Sequence, residues 1–395
     1  MLKRSVLFCF LTLSLLGLVG CSEVTSAKAK IKQDKLLKHK IGQMLLFGFD
    51  GKSVTDETPI VAAIKSGSLG GVILFDYDYQ RKVFDKNIES PEQVKALIQQ
   101  LQAYAQATVA TPEHPNAPSL PLFIGVDYEG GKVNRLKESY GFPETLSAAK
   151  LAAISDEIGP HYAFQMAETL KKLGFNLNFA PVLDLNSNPD NPVIGKLGRS
   201  FSHDPDTVVF YANLFAQAFA EKNIACAYKH FPGHGSSTLD THLGFTDVTN
   251  TWRREELLPY ANVLKDPKHC RFIMTAHIVN RQLDPTGVPA TLSASILTDL
   301  LRKQYHFDGL IITDDMQMKA ISDHYSLEEA VVMAINAGAD MLVFGNQLVT
   351  QPVTVAEVTA LILKNINSGA IPKSRIEDAY QRIVAYKKEI LTFPS

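Results

Sequence analysis

One rhythm constrains this chain more than any other feature: short apolar runs alternate with longer amphipathic ones eight times over. The runs at Gln43–Phe49, Gly71–Phe75, Leu122–Val126, Leu177–Leu183, Ala225–Lys229, Phe272–Ala276, Leu310–Thr313 and Met341–Phe344 read as strands. Several are apolar throughout, as strands of a parallel sheet covered on both faces must be. The stretches Pro91–Ala107, Leu146–Leu173, Thr207–Lys222, Leu292–Gln304 and Leu327–Ala337 carry helical spacing, and Val355–Asn367 and Lys373–Glu389 close the chain. Pro91 beside Glu92 is a helix start, and Gly338 after Ala337 a helix stop. Eight strands interleaved with helices predict a (β/α)₈ TIM-type barrel as a single α/β catalytic domain over residues 41–395, rather than an open doubly wound sheet. Thr108–Ser119, with three prolines, reads as a surface loop. Phe75–Ser90 is aromatic and charged and reads either as an insertion at the rim of a site or as a decorated loop. No internal repeat is present.

In such a barrel the residues just after each strand surround the active site, and the polar residues of this chain gather there. Asp127-Tyr128-Glu129-Gly130-Gly131 follows the third run, with Asn134 and Arg135 beyond it. Asp184 and then Gly198-Arg199-Ser200-Phe201 follow the fourth, His277 the sixth, and Asp314-Asp315-Met316 the seventh. After the fifth comes Lys229-His230-Phe231-Pro232-Gly233-His234-Gly235, leading to Asp240-Thr241-His242. That loop holds three histidines around a Pro-Gly-x-Gly segment that can be neither helix nor regular strand. A carboxylate two residues from an imidazole suits a pair in which the acid orients the ring and raises its proton affinity.

These strings resemble glycoside hydrolase family 3, in particular its single-domain β-N-acetylglucosaminidases, from about Gln43 to Val384. The resemblance implies a retaining exo-β-N-acetylglucosaminidase that needs no metal or other cofactor. Asp314 would be the nucleophile that forms a covalent glycosyl-enzyme, His242 the general acid/base, and Asp240 its partner. Asp127, Arg135, Arg199, Lys229 and His230 would bind the hydroxyls of the terminal sugar. Asp315, next along the strand, would point elsewhere by alternation, and His234 would shape the loop rather than act chemically. Asn134 stands where relatives often carry glutamine. Substrates of this kind are β-GlcNAc-terminated glycans, from peptidoglycan fragments or chitin oligosaccharides.

Other readings meet specific features. A metal-dependent hydrolase built on His230, His234 and His242 would need helical four-residue spacing, which Pro232 and Gly233 forbid. A non-catalytic sugar-binding lipoprotein sits awkwardly with Asp314 and His242 both present. A family 3 β-glucosidase would lack the Asp-x-His loop, and phosphorolysis stays open because a histidine tolerates an anionic phosphate better than a carboxylate does.

The N-terminus reads as a targeting segment. Lys3 and Arg4 precede the apolar Ser5–Val19, and Leu18-Val19-Gly20-Cys21 resembles the lipobox of a bacterial lipoprotein. Residues 1–20 would be a signal peptide and Cys21 the lipidated residue anchoring the chain to a membrane. Ser22, where an aspartate would signal otherwise, resembles an outer-membrane sorting signal, so the protein would face the periplasm or the cell surface. The Lys-rich residues 21–40 read as a tether. A formal net charge of −2 with scattered charges gives no footprint for nucleic acid. Cys226 and Cys270 lie in or beside apolar runs and read as small core residues rather than a disulfide framework. The sequence is silent on oligomeric state.

Overall fold

Eight short, largely buried segments, mostly apolar, form the strands: β1 (Leu45–Phe47), β2 (Gly71–Ile73), β3 (Phe123–Val126), β4 (Leu177–Asn178), β5 (Ala225–Phe231), β6 (Phe272–Thr275), β7 (Leu310–Asp315) and β8 (Met341–Phe344). In this computed structural model, which describes residues 32–391 apart from 80, 108–119 and 155–157, each strand pairs in parallel with the next and β8 returns to β1. The result is the closed (β/α)₈ barrel that the alternation predicts. Closure leaves no strand edge, and helices cover the outer face, which is why the strands tolerate continuous apolar sequence.

Local sequence sets the helix limits. Ser326 with Glu329, and Thr354 with Glu357, form reciprocal capping boxes at the starts of Leu327–Ala337 and Val355–Asn367. Asp204 accepts from the Thr207 N–H at the start of Pro205–Glu221. The long span from Leu146 resolves into helices Ala148–Ile154 and Ile158–Leu173, and Ser295–Gln304 winds as a π-helix. The expected fourth strand is shorter than its apolar run. Its ladder stops at Asn178, ahead of Pro181, whose ring cannot donate, and resumes only as a bridge between Val182 and Lys229.

The N-terminal mouth of the barrel is sealed by the last helix, Lys373–Ile390. Tyr386 packs on Phe123 and Phe272, at the entries of β3 and β6. The buried Lys387 ammonium donates to Gln43 Oε1 at 2.9 Å and to the Gly70 carbonyl at 2.6 Å. Beside it the fully buried Asp340 takes Arg302, Arg375 and Arg382. Everything at this end is structural, which leaves the opposite mouth for chemistry.

Two expectations are corrected. Cys226, in β5, and Cys270, ahead of β6, form a disulfide. Their separation of 44 residues hid the pairing, because only the alignment of β5 with β6 brings them together. Residues 32–43 form the first helix, with His39 buried and Lys40 paired to Glu377, so the domain begins earlier than residue 41. Cys21, the signal peptide and the loop Thr108–Ser119 lie outside the described residues. No described helix is long and apolar enough to cross a membrane.

Candidate active site

At the C-terminal mouth, the ends of β3, β5 and β7 and the loop after β4 bring charged side chains into contact that are far apart in sequence. Beyond β3 the chain turns back as a small ribbon, Tyr128–Gly130 against Val133–Asn134. Gly131 makes that turn at φ +60°, with Ser147 so close that a Cβ would come within 2.6 Å of its side chain. The ribbon returns Arg135 to Asp127, with Nη2 to Oδ2 at 3.3 Å.

Lys229, from β5, is buried between two carboxylates, 3.0 Å from Asp127 Oδ1 and 2.6 Å from Glu129 Oε1. Arg199 clamps Glu129 through two bonds, Nε to Oε2 at 2.8 Å and Nη2 to Oε1 at 2.7 Å. The Arg199 Nη2 also lies 3.3 Å from His230 Nε2. Burial alone would push the carboxyl of Asp127 up, but Lys229 and Arg135 outweigh it and hold the group well below the usual range. Glu129 is held down in the same way by Arg199 and Lys229. Five charges thus form one interlocked wall, in which each desolvated group is paired.

Asp184, fully buried after β4, organises the histidine loop. Its Oδ2 sits 2.6 Å from His230 Nδ1, and its Oδ1 accepts the backbone N–H of both His230 and His234. Beneath the loop lies Glu256, whose Oε2 accepts the Gly235 N–H at 3.0 Å. A Cβ at Gly233 would meet Glu256 at 2.7 Å, and one at Gly235 would meet the Leu185 carbonyl oxygen at 1.8 Å. Both glycines are therefore required by close packing. Burial raises the Glu256 carboxyl to about 7. His234 is buried among these groups, and burial lowers it to about 4.

Asp314, near the end of β7, is half-buried. Its Oδ1 accepts the Asp315 N–H at 2.8 Å. Burial would raise its carboxyl, but His277, His230 and His242 around it outweigh that and keep it ionised. Asp315 turns the other way: Oδ1 accepts the N–H groups of Gln317 and Gly345, and Oδ2 is buried without a partner. Burial lifts its carboxyl to about 6. His277 is fixed by Thr291 Oγ1 at 2.7 Å and by the Asp315 carbonyl at 2.9 Å. His242 stands on the exposed part of the loop, its Nδ1 turned to Asp240 Oδ1.

The structure therefore brings Asp127, Arg135, Arg199, Lys229 and His230 into one wall and sets His242 with Asp240 near Asp314. Sequence reasoning gave no role to Glu129, although its i, i+2 relation to Asp127 marks a shared face of an extended segment. It also missed Glu256, for which nothing in its surroundings, Arg254-Glu255-Glu256-Leu257, is distinctive. Among the described residues no group of three His, Cys, Asp or Glu side chains is placed to hold a metal ion.

A barrel with a carboxylate at the end of β7, a histidine–carboxylate pair on the loop after β5 and a charged wall between them defines a sugar-processing class. The description "Glycosyl hydrolase family 3 N terminal domain" matches residues 36–386. The chain belongs to glycosyl hydrolase family 3, a family of glycoside hydrolases. It is 33% identical to beta-hexosaminidase A of Pseudoalteromonas piscicida over 81% of its own length, but spans only 55% of that relative. It is also 33% identical to a beta-hexosaminidase of Idiomarina loihiensis, over 67% of this chain and 75% of the relative. A family 3 β-N-acetylglucosaminidase from Paenibacillus sp. FPU-7 superposes with a TM-score of 0.76 at 30% identity, over 91% of this chain and 64% of that one. A β-N-acetylhexosaminidase from Beutenbergia cavernae superposes with the same TM-score at 27% identity, over 89% and 98%.

Proposed function

We propose that the chain is a retaining exo-β-N-acetylglucosaminidase that removes non-reducing terminal β-linked GlcNAc by double displacement. The observation that carries this reading is the pairing of His242 with Asp240 at 2.8 Å on the loop after β5, at the same barrel mouth as Asp314 of β7. Asp314, kept ionised, attacks the anomeric carbon to form a glycosyl ester. His242, with Nδ1 committed to Asp240, uses Nε2 to protonate the departing oxygen and then to take a proton from the incoming water. Asp127, Arg135, Arg199, Lys229 and His230 hold the sugar hydroxyls so that attack is in line. The substrates on this reading are peptidoglycan fragments or chitin oligosaccharides, and the names of the relatives above support the GlcNAc specificity.

Export with a lipid anchor at Cys21, in the outer membrane facing the periplasm or at the cell surface, belongs to the same proposal. The Cys226–Cys270 disulfide supports it, because such bonds persist in oxidising compartments. Cys21→Ala should release the protein into the soluble fraction; unchanged membrane retention would count against the anchor.

The deciding experiment is hydrolysis of 4-nitrophenyl β-N-acetylglucosaminide by the detergent-solubilised chain, beside a β-glucoside control and the Asp314→Ala and His242→Ala variants. Release from the GlcNAc substrate alone, abolished by Asp314→Ala and crippled by His242→Ala, is expected. A wild type inactive on both sugars, with or without phosphate, would point instead to a sugar-binding protein.

A further inference from the structure

The loop from Thr238 to Phe245 lies open to solvent at almost every position, with Leu239 54% exposed and Leu243 74%. Thr241, in its middle, is only 3% exposed and is the single buried residue of that stretch. It stands between Asp240 and His242, the two residues assigned to proton transfer. A surface loop with so little buried takes its geometry from the contacts of the part that is.

Thr241 is gripped from two directions. Its carbonyl accepts the Ala320 N–H at 3.2 Å. Ala320 belongs to the short helix Lys319–Ser322, which β7 enters through a turn in which the Met318 N–H donates to the Asp315 carbonyl at 3.0 Å. The loop that carries His242 is thus docked on the continuation of the strand that carries Asp314. On the other side the Thr241 hydroxyl lies 3.4 Å from His234 Nε2. His234 Nδ1 is buried without a partner, so this hydroxyl is the polar contact left to the ring. The His234 backbone N–H is anchored on Asp184, whose other oxygen holds His230 of the charged wall.

The pair itself has no such reference to the rest of the site. The His242 side chain is half-exposed, and both of its bonds to Asp240 close within the loop. They fix the ring against its partner but not against Asp314. That register passes through Thr241, and a misplacement of about 1 Å in a proton-transfer group can cost about 10²-fold in rate.

We propose that Thr241 is a positioning residue for the acid/base: with its hydroxyl on His234 and its carbonyl on Ala320, it holds His242 in register with Asp314. This rests on the glycosidase reading above and deepens it, by naming the residue through which proton donor and nucleophile are aligned.

The test uses leaving groups of different acidity. An acidic phenolate departs without a proton, whereas a further sugar needs one from His242, so a misplaced acid shows only on the second kind. The full chain and its Thr241→Val variant, which keeps nearly the same shape and loses the hydroxyl, are compared by kcat/KM on 2,4-dinitrophenyl β-N-acetylglucosaminide and on N,N′-diacetylchitobiose. The variant should lose about tenfold or more on chitobiose and less than about twofold on the dinitrophenyl glycoside. Thr241→Ser, which restores the hydroxyl, should return the wild-type ratio. Because the ratio of two substrates is independent of how much enzyme is folded, a loss of folded protein does not mimic the effect. Equal losses on both substrates, or none, would overturn the assignment, as would a Thr241→Ser variant as selective as Thr241→Val. His242→Ala, measured alongside, should discriminate more strongly in the same direction. If it does not discriminate, or if the wild type hydrolyses neither substrate, the glycosidase reading itself fails and Thr241 loses its role with it.

Discussion

His242 donates its backbone N–H to Asp240 Oδ1 at 2.8 Å and turns its Nδ1 to the same oxygen at 2.8 Å. One carboxylate oxygen therefore fixes both the main chain and the ring of the residue assigned to proton transfer. Asp240→Asn keeps the shape and loses the charge that favours imidazolium. We expect kcat to fall by about 10- to 100-fold with KM little changed. A kcat unchanged within about twofold would show that the pair is only structural.

Glu129 offers a sharper contrast between binding and folding. It is nearly inaccessible and takes both Arg199 and Lys229. Glu129→Gln leaves two buried cations short of one partner, which costs about 3–5 kcal/mol when one side of a buried pair is removed. A large drop in melting temperature, with a raised KM in whatever protein remains folded, is the expected outcome. A melting temperature within a degree of wild type would show that the cations are compensated elsewhere.

Two buried groups predict opposite pH trends in stability. Glu256 has a folded-state pKa raised from 4.5 to about 7, so the fold favours its protonated form. Its contribution is most favourable below 4.5 and is lost as pH rises toward 7. Glu256→Gln should therefore gain stability relative to wild type on going from pH 5 to pH 8. Urea unfolding at the two pH values measures this, and an equal gap at both would rule the effect out.

Lys387 shows the reverse. Burial lowers its ammonium from 10.5 to about 7, so the folded state gives up its proton more readily than the unfolded chain. Its penalty is full below about pH 7 and fades as pH climbs toward 10.5. Thermal unfolding of Lys387→Met against wild type should show a difference that moves in favour of wild type between pH 7 and pH 10. A difference independent of pH would mean that the ammonium keeps its proton through its bonds to Gln43 and Gly70.

The disulfide closes a loop across one barrel interface, between residues 44 apart in sequence. Reduction, or the Cys226→Ala/Cys270→Ala pair, should lower stability by about 2–4 kcal/mol. The barrel should survive, because the strand ladder that joins β5 to β6 does not depend on it. Calorimetry with and without reductant reads the change directly.

The order of the eight strands, the closure of the barrel and the strand ends that carry polar residues were all legible in the chain, because period and apolar run length are local properties that the fold must satisfy. The strand that fell furthest short did so ahead of Pro181, a local signal also present in the sequence. Partnerships were another matter. Lys229 meets Asp127 across 102 residues, His230 meets Asp184 across 46, and Glu256 lies under Gly235 from 21 residues away. The division between Asp314, facing the histidines, and Asp315, bound to Gly345, could be expected from strand alternation. Which of the two faces the histidines depended on where β8 lies. Sequence alone thus determined which residues stand at the mouth of the barrel. Only the tertiary structure decided which of them share a desolvated space, because a buried charge takes its partner and its protonation state from neighbours that barrel closure brings together.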